Sequence, residues 1–297
     1  MITRVTTQTM MNSSLRNLQS ASSELARLQD QAGSRKAITR PSDDPSGTAD
    51  ALAVRLSIAS NNQYERNIND GNGWLTTANS ALTSVTDLMK KAKDLTVQGA
   101  NDGALSPLAK EAIAVELESI KTDLLAQANT AYLGRSIFAG TSDAGQAFAP
   151  DYTYLGAAGT VERRVSDGST VRVDVDGAQV FGPGTAPTAT SMFGEIDAIV
   201  ADLRAGVNVG KHLPTLDARL DTVLTSLSTV GARHATILDA ASSNLDRKVD
   251  LESMRSGIED VDIQKIILDL KMQEVTYQSA LAVTARTLQP TLMDFLR

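Results

Sequence analysis

The feature that most constrains the fold is an apolar repeat that advances in alternating steps of three and four residues. One such stripe comprises Leu75, Ala78, Leu82, Val85, Met89 and Ala92, and the longest runs from Leu216 to Ala241. Similar stripes occur at 11–25, 113–124 and 251–275. This spacing keeps one face of a helix towards a partner helix along its length. Many stripe positions are Ala, Ser or Thr, so we expect narrow seams that need assembly for stability.

The region from 136 to 189 differs from the helical segments around it. YTYL, TVERRV, TVRVDV and AQVFG alternate or are rich in β-branched residues, and SDGS (166–169) and VDGA (175–178) are hairpin turn signals. Ahead of this region, Ser106 is predicted to cap a helix that has Pro107 at its first position. The predicted fold is mainly α: an elongated helical bundle or coiled coil formed by both chain ends, with a small inserted β domain.

The composition excludes several classes of protein. The chain has no cysteine, which removes disulfides and thiolate chemistry, and its net charge of −7 lacks a basic nucleic-acid footprint. It contains no run of about 18 apolar residues, so we expect no membrane span. Its N-terminus is polar and lacks the apolar core of a cleaved signal peptide, so we expect any export to proceed without one.

The stretch TRPSDDP (39–45) suggests a metal site, a carboxylate pair or the start of a helix. A calcium site needs six to eight oxygen ligands, usually from an ordered run of acidic residues, and here Pro45 interrupts that run. Ser42 or Asp44 can instead cap a helix that has Pro45 at its first position. We therefore interpret the motif as a helix cap, formed by Pro41, Ser42, Asp43, Asp44 and Pro45.

The remaining candidate sites favour structural interpretations. DGNG (70–73) and DVDG (174–177) resemble calcium loops without the required Glu, so we expect turns. GVNVGKH (206–212) misses the phosphate-loop spacing and is interpreted as a helix exit, which leaves His212 without a partner. His234 lies on an apolar stripe and is predicted to be a packing residue. No catalytic motif occurs, so we predict no enzyme activity, no metal and no cofactor.

A short basic cluster precedes the capping motif. Arg35, Lys36 and Arg40 lie within ten residues of Asp44. They are either solvated loop charges or part of a contact surface between subunits, and the sequence favours neither.

Two terminal segments carry a resemblance to a known family. GSRKAITRPSDDPSGTADA resembles the N-terminal segment of the flagellin family, in the Pro-Ser-Asp-Asp-Pro version that is similar to its hook–filament junction proteins. The C-terminal segment IEDVDIQKIILDLKMQEVTYQSALAVTARTLQPTLMDFLR is similar to the same proteins, and VSDGSTVRVDVDGAQVFG resembles their variable outer domain. The ending DFLR is faintly similar to that of filament flagellins.

The resemblance implies a structural role in the bacterial flagellum, outside the cell and after export without a cleaved signal peptide. The implied partners are other copies in a ring, an adjoining hook-associated protein, flagellin, and an export chaperone that binds the C-terminal helix. A short filament flagellin is the alternative. Neither implies binding to nucleic acid or a membrane span.

The expected division has three parts. Residues 1–35 and 262–297 would form an inner assembly layer, 36–135 and 190–261 a helical bundle, and 136–189 the β domain. The predicted subunit-assembly residues are Met11, Leu15, Leu18, Leu25, Leu268, Met272, Val275, Leu281, Leu288, Leu292 and Leu296.

Overall fold

The computed structural model describes residues 2–101, 105–184 and 191–288. Its helices are α1 (Ile2–Ser34), α2 (Pro45–Gly99), α3 (Pro107–Ala128), α4 (Gly177–Phe181), α5 (Met192–Ala205), α6 (Leu213–Glu259) and α7 (Ile263–Leu288). Its strands are β1 (Ala131–Tyr132), β2 (Arg135–Ser136), β3 (Glu162–Arg164) and β4 (Thr170–Arg172), in two antiparallel hairpins. The predicted mainly α class with a small β part is confirmed.

The described residues form two compact units, and the division falls within α2 and α6. The first unit contains residues 2–60 and 248–288, and the second contains the described residues of 61–247. The three-part division expected from the sequence stays a prediction.

The start of α3 follows the predicted capping rule. The Ser106 hydroxyl accepts a hydrogen bond of 3.2 Å from the backbone N–H of Ala109, and Pro107 is the first helical residue. Serine satisfies one of the donors that the first turn leaves free, and proline has no such donor to lose.

The apolar stripe predicted at 251–275 is interrupted, contrary to expectation. α6 ends at Glu259 and α7 begins at Ile263. The Asp262 carboxylate accepts hydrogen bonds from the N–H groups of Gln264 (2.9 Å) and Lys265 (3.3 Å). This aspartate starts a new helix, because its side chain satisfies the first-turn donors of α7.

The DGNG segment at 70–73 is helical, so the predicted turn is wrong. It lies inside α2, and its two glycines let other parts of the second unit approach the helix backbone. A Cβ on Gly73 would overlap the Tyr132 ring, and one on Gly71 would lie 3.1 Å from Cδ1 of Ile237. Close packing therefore offsets the cost of glycine in a helix interior.

The region between α3 and α5 matches the prediction in part. β3 and β4 pair around the SDGS turn, where Val165 donates a backbone hydrogen bond to Ser169. The VDGA turn and the AQVFG strand are wrong, because Asp176 caps α4 by accepting from Ala178 (2.9 Å) and Gln179 (3.4 Å). The DVDG turn expected at 174–177 therefore ends in the first residue of this helix.

The second unit has a continuous apolar core. Four phenylalanines lie in contact at one part of it, with neighbouring ring centroids 5.2 to 6.0 Å apart: Phe138, Phe148, Phe181 and Phe193. The predicted stripe residues Leu75, Leu82, Leu117 and Leu124 are fully buried in the same core. Apolar burial is thus the main term that stabilises this unit.

One polar pair is buried between α2 and α6. The amide nitrogen of Asn61 donates to the backbone carbonyl of Asn244 at 3.1 Å. The amide nitrogen of Asn244 donates to the backbone carbonyl of Asn61 at 3.1 Å and to its Oδ1 at 2.9 Å. A buried reciprocal pair of this kind fixes which residues of two helices face each other.

Candidate functional site

The motif TRPSDDP begins α2 and folds back on itself. Oδ1 of Asp44 accepts a hydrogen bond of 2.9 Å from the N–H of Gly47, and Pro45 is the first helical residue. Oδ2 of Asp43 accepts from the hydroxyl of Thr39 (2.8 Å) and the N–H of Arg40 (2.9 Å). These bonds lower the pKa of Asp43.

The motif lacks the geometry of a metal site. Both carboxylates are bonded to nearby donors of the chain, Asp44 at the helix start and Asp43 in the preceding turn. Across the described residues, no group of three or more His, Asp or Glu side chains could hold a metal ion. The local chemistry of the motif is that of a helix cap.

The basic loop before the motif is held by contacts within the chain. Nζ of Lys36 lies 2.6 Å from Asp260 and 3.3 Å from Glu259. Nε of Arg55 also bonds the Glu259 carboxylate, at 2.6 Å, and the backbone N–H of Ala37 donates to the Glu259 carbonyl at 2.7 Å. We call this network the Glu259 latch.

The Glu259 latch gives one residue of the basic cluster, Lys36, partners within its own chain. The Glu259 side chain is only 5% exposed, so its charge depends on its two cations. The hydrogen bond from Arg55, with that from Lys36, lowers the pKa of Glu259. Lys36 therefore pairs with Glu259 of its own chain. The two residues are 223 positions apart, so no local sequence pattern indicates this contact.

α1 and α7 pack together within the first unit. Leu28 and Ile266 are buried, and the amide of Gln273 donates a hydrogen bond of 3.0 Å to the backbone carbonyl of Ala21. The side of α7 that faces α1 thus includes Ile266 and Gln273, seven residues or two turns apart.

A second apolar stripe on α7 stays exposed. It carries Leu268 (63% exposed), Met272 (60%), Val275 (63%) and Val283 (58%). At 100° per residue, this stripe lies about 140° around the helix from the side that faces α1. A helix with apolar residues on nearly opposite sides is normally buried on both, so α7 has an open face.

The predicted assembly residues divide between the covered and the open faces. Met11 and Leu15 of α1 are exposed, whereas Leu18 and Leu25 are half-buried. Leu268, Met272, Val275 and Leu281 are all exposed. Leu288 ends α7 without a described side chain, and Leu292 and Leu296 lie outside the described residues.

Both histidines of the second unit have hydrogen-bond partners. Nδ1 of His212 lies 2.8 Å from Glu195, and its Nε2 lies 2.7 Å from Asp202. Hydrogen bonds from Lys211 and His212 lower the pKa of Asp202. His234 contacts Asn72 at 2.8 Å and packs as predicted. Both carboxylate partners of His212 lie on α5, one helix earlier, so loop sequence alone could not identify them.

The sequence of this chain is similar to those of known flagellar proteins. Residues 5–143 match the family described as the bacterial flagellin N-terminal helical region. Flagellar hook-associated protein 3 of Salmonella typhimurium is 26% identical over 93% of this chain and 94% of its own. The chain is therefore similar to proteins of the bacterial flagellum.

The chain is also similar to a filament protein and to a solved structure. A 30.7 kDa flagellar filament core protein of Treponema maltophilum is 25% identical over 84% of this chain and 83% of its own. The crystal structure of Bacillus cereus FlgL aligns with a TM-score of 0.59 and 24% identity, over 69% of this chain and 99% of that one. The likeness to the solved structure indicates the same fold.

The family match spans the N-terminal helices, including α1 with its exposed residues Met11 and Leu15. It includes the described part of α1 from residue 5, the capping motif, α2 and α3. Among the described helices, none is long and apolar enough to cross a membrane.

Proposed function

We propose that this chain is a structural subunit of the bacterial flagellum at the junction between hook and filament. The observation that carries the proposal is the similarity to flagellar hook-associated protein 3, which extends over 93% of the chain. At this coverage the similarity includes the middle and at least part of each terminal segment. The proposed role requires no catalytic step and no cofactor.

The open face of α7 supports a role in assembly. Fully burying an aliphatic side chain stabilises a complex by about 1.5–3 kcal/mol, and Leu268, Met272 and Val275 still have most of that burial to gain. We propose that neighbouring subunits cover this stripe and the exposed residues Met11 and Leu15 of α1. Residues 1–35 and 262–297 would then form the inner layer, and the parts between them the outer ones.

The partners follow from the junction role. They are other copies of the chain in a ring, an adjoining hook-associated protein and flagellin, all outside the cell. Before assembly, an export chaperone would bind the C-terminal helix, because a helix with an open apolar stripe needs a cover in solution. Export would proceed without a cleaved signal peptide.

A filament flagellin is the second candidate. The similarity to the Treponema maltophilum filament core protein, over 84% of this chain, favours it. Both candidates use the same terminal helices, so the surface on α7 does not separate them.

Deleting the gene separates the two functions. For a junction protein, electron microscopy should show hooks without filaments, with flagellin shed into the medium. If flagellin itself disappears while junction proteins remain at the hook tip, this chain is the filament subunit and the junction role is wrong.

A point variant tests the assembly surface. Met272→Lys should abolish assembly while the thermal stability of the isolated chain stays unchanged, because this side chain is 60% exposed. Gln278→Lys is the matched control, since Gln278 is also exposed on α7 but lies off the apolar stripe. Both variants are compared by motility and by sedimentation. Assembly of Met272→Lys at the level of the control would rule out this stripe as the subunit contact.

A further inference from the structure

A polar cleft lies in the second unit, where α6 passes the segment from β4 to α4. It encloses about 70 Å³. Its walls include two arginines and several side chains that can form hydrogen bonds: Arg172, Asp174, Asp176, Gln179, Thr225, Ser226, Thr229 and Arg233. Nothing in the proposed junction role uses this cleft.

One of the two arginines is fully engaged by a buried carboxylate. Nε and Nη2 of Arg172 bond the two oxygens of Asp174 at 2.9 and 2.8 Å. Asp174 is 1% exposed and also accepts a hydrogen bond of 2.8 Å from the N–H of Val161. This hydrogen-bonded pair raises the pKa of Arg172 and leaves little charge of either sign for a ligand.

The second arginine has no such counterion. Nη1 of Arg233 donates to the backbone carbonyl of Asp174 at 2.9 Å. Within the described residues, no carboxylate pairs with Arg233, and its Nε and Nη2 make no hydrogen bond. Partial burial, together with the positive charge of Arg172, lowers the pKa of Arg233. The guanidinium therefore lies where a direct carboxylate or phosphate partner would be favourable.

The other polar side chains that line the cleft limit the size and charge of a ligand. Asp176 lines the cleft, but its Oδ1 already accepts from the backbone of Ala178 and Gln179. The hydroxyls of Thr225 and Thr229 donate to carbonyls of their own helix, so they add no donors. A single carboxylate or one phosphate group fits this balance better than a polyanion.

We propose that the cleft binds one oxyanion, a carboxylate or a phosphate, through Nε and Nη2 of Arg233. A guanidinium presents these two donors side by side, in the geometry that two oxygens of one oxyanion can accept. The Gln179 amide and the Ser226 hydroxyl lie in the same walls as further donors. The oxyanion is either a free solute or an acidic side chain of a neighbouring copy, since the chain has 35 Asp and Glu residues.

The direct test observes the Nε–H signal of Arg233 by nitrogen-15 NMR. Sodium phosphate and sodium acetate are titrated into the full chain at constant ionic strength. A free-solute site should shift this signal saturably, in the millimolar range, because only one uncommitted guanidinium contributes. The Nε–H signal of Arg204, whose guanidinium Glu111 and Glu118 already hold, is the internal control and should not saturate.

Variants separate binding from folding. Arg233→Gln should lose the saturable response, Arg233→Lys should keep a weaker one, and Arg204→Gln should keep it entirely. Fluorescence of Trp74, the sole tryptophan, reports whether each variant is folded. If Arg233→Gln does not fold, Arg233→Lys takes its place in the titration and in the test of self-association below, where it should show a partial loss.

The second arm tests for a carboxylate of a neighbouring copy. If small anions produce no saturable shift, Arg233→Gln should weaken self-association in sedimentation velocity while Arg204→Gln does not. The proposal is overturned if the Arg233 signal does not saturate and the two variants associate equally well.

Discussion

The buried Asn61–Asn244 pair gives the sharpest test of what sets the alignment of α2 and α6. The perturbation is a double-mutant cycle with Asn61→Leu, Asn244→Leu and the double variant. Leucine has the same number and branching of side-chain heavy atoms as asparagine but no hydrogen-bonding group, so the cycle isolates the polar contribution.

The magnitudes follow from which atoms each variant leaves without a partner. Asn244→Leu removes the only donor to Oδ1 of Asn61, and an unsatisfied buried polar group costs about 1–3 kcal/mol. Asn61→Leu removes that acceptor and the donor to the backbone carbonyl of Asn244, at a similar cost. The double variant leaves no side-chain polar atom behind, so its free energy of unfolding should be close to that of the wild type. The magnitude of the coupling energy should then equal the sum of the two single costs, about 2–6 kcal/mol.

Urea unfolding followed by Trp74 fluorescence measures all four proteins. Trp74 is buried in α2 within the same unit, so its emission reports the unit that holds the pair. If the two single costs simply add in the double variant, the pair carries no coupling and the reasoning is refuted. Asn69→Leu, at an exposed position of α2, is the control for the leucine itself.

Three further predictions concern other contacts. Asp44→Ala should lower the stability of the start of α2 by about 1 kcal/mol, because it removes the cap, and amide hydrogen exchange in the first turn of α2 should become faster. Calorimetry should show no calcium binding to either protein. Calcium binding to the wild type that the variant loses would contradict the cap. Gly73→Ala should destabilise the second unit by about 1–3 kcal/mol, because the added Cβ would overlap Tyr132. The double variant with Tyr132→Ala should regain part of the lost free energy of unfolding. An unchanged free energy of unfolding in urea for Gly73→Ala would refute the contact. Because the pKa of Glu259 is lowered on folding, the stability that this carboxylate contributes is present above its ordinary pKa of 4.5 and is lost as the pH falls through the folded pKa. Glu259→Gln should remove this acid dependence, measured by hydrogen exchange at the backbone N–H of Ala37, which donates to the Glu259 carbonyl. An unchanged pH profile in the variant would exclude the latch.

The parts of the fold that short-range patterns specify could be predicted from the sequence. The long helices follow from the spacing of three and four, and Ser106 with Pro107 from capping chemistry. The β3–β4 hairpin follows from SDGS. Each of these signals acts within a few residues, so it does not depend on where the rest of the chain goes.

The parts that depend on distant residues could not be predicted. Gly73 lies in a helix, and the Tyr132 ring occupies the space that a side chain at this position would take. Lys36 forms an ion pair with Glu259, which is distant in sequence. His212 meets carboxylates that another helix presents. For Gly73 and His212 a local rule predicted a turn and a histidine without a partner, and a tertiary contact replaced that prediction; for Lys36 the local pattern favoured no interpretation.

α7 shows how a sequence pattern can point to a contact outside its own chain. The regular stripe through Leu268, Met272 and Val275 is the one left open, whereas the side that faces α1 includes Gln273 along with Ile266. If the chain covered its more apolar stripe internally, assembly would have little apolar surface left to bury. By pairing through the more polar side, the helix keeps a large gain for its neighbours, so folding of the terminal pair and association with partners are expected to reinforce each other.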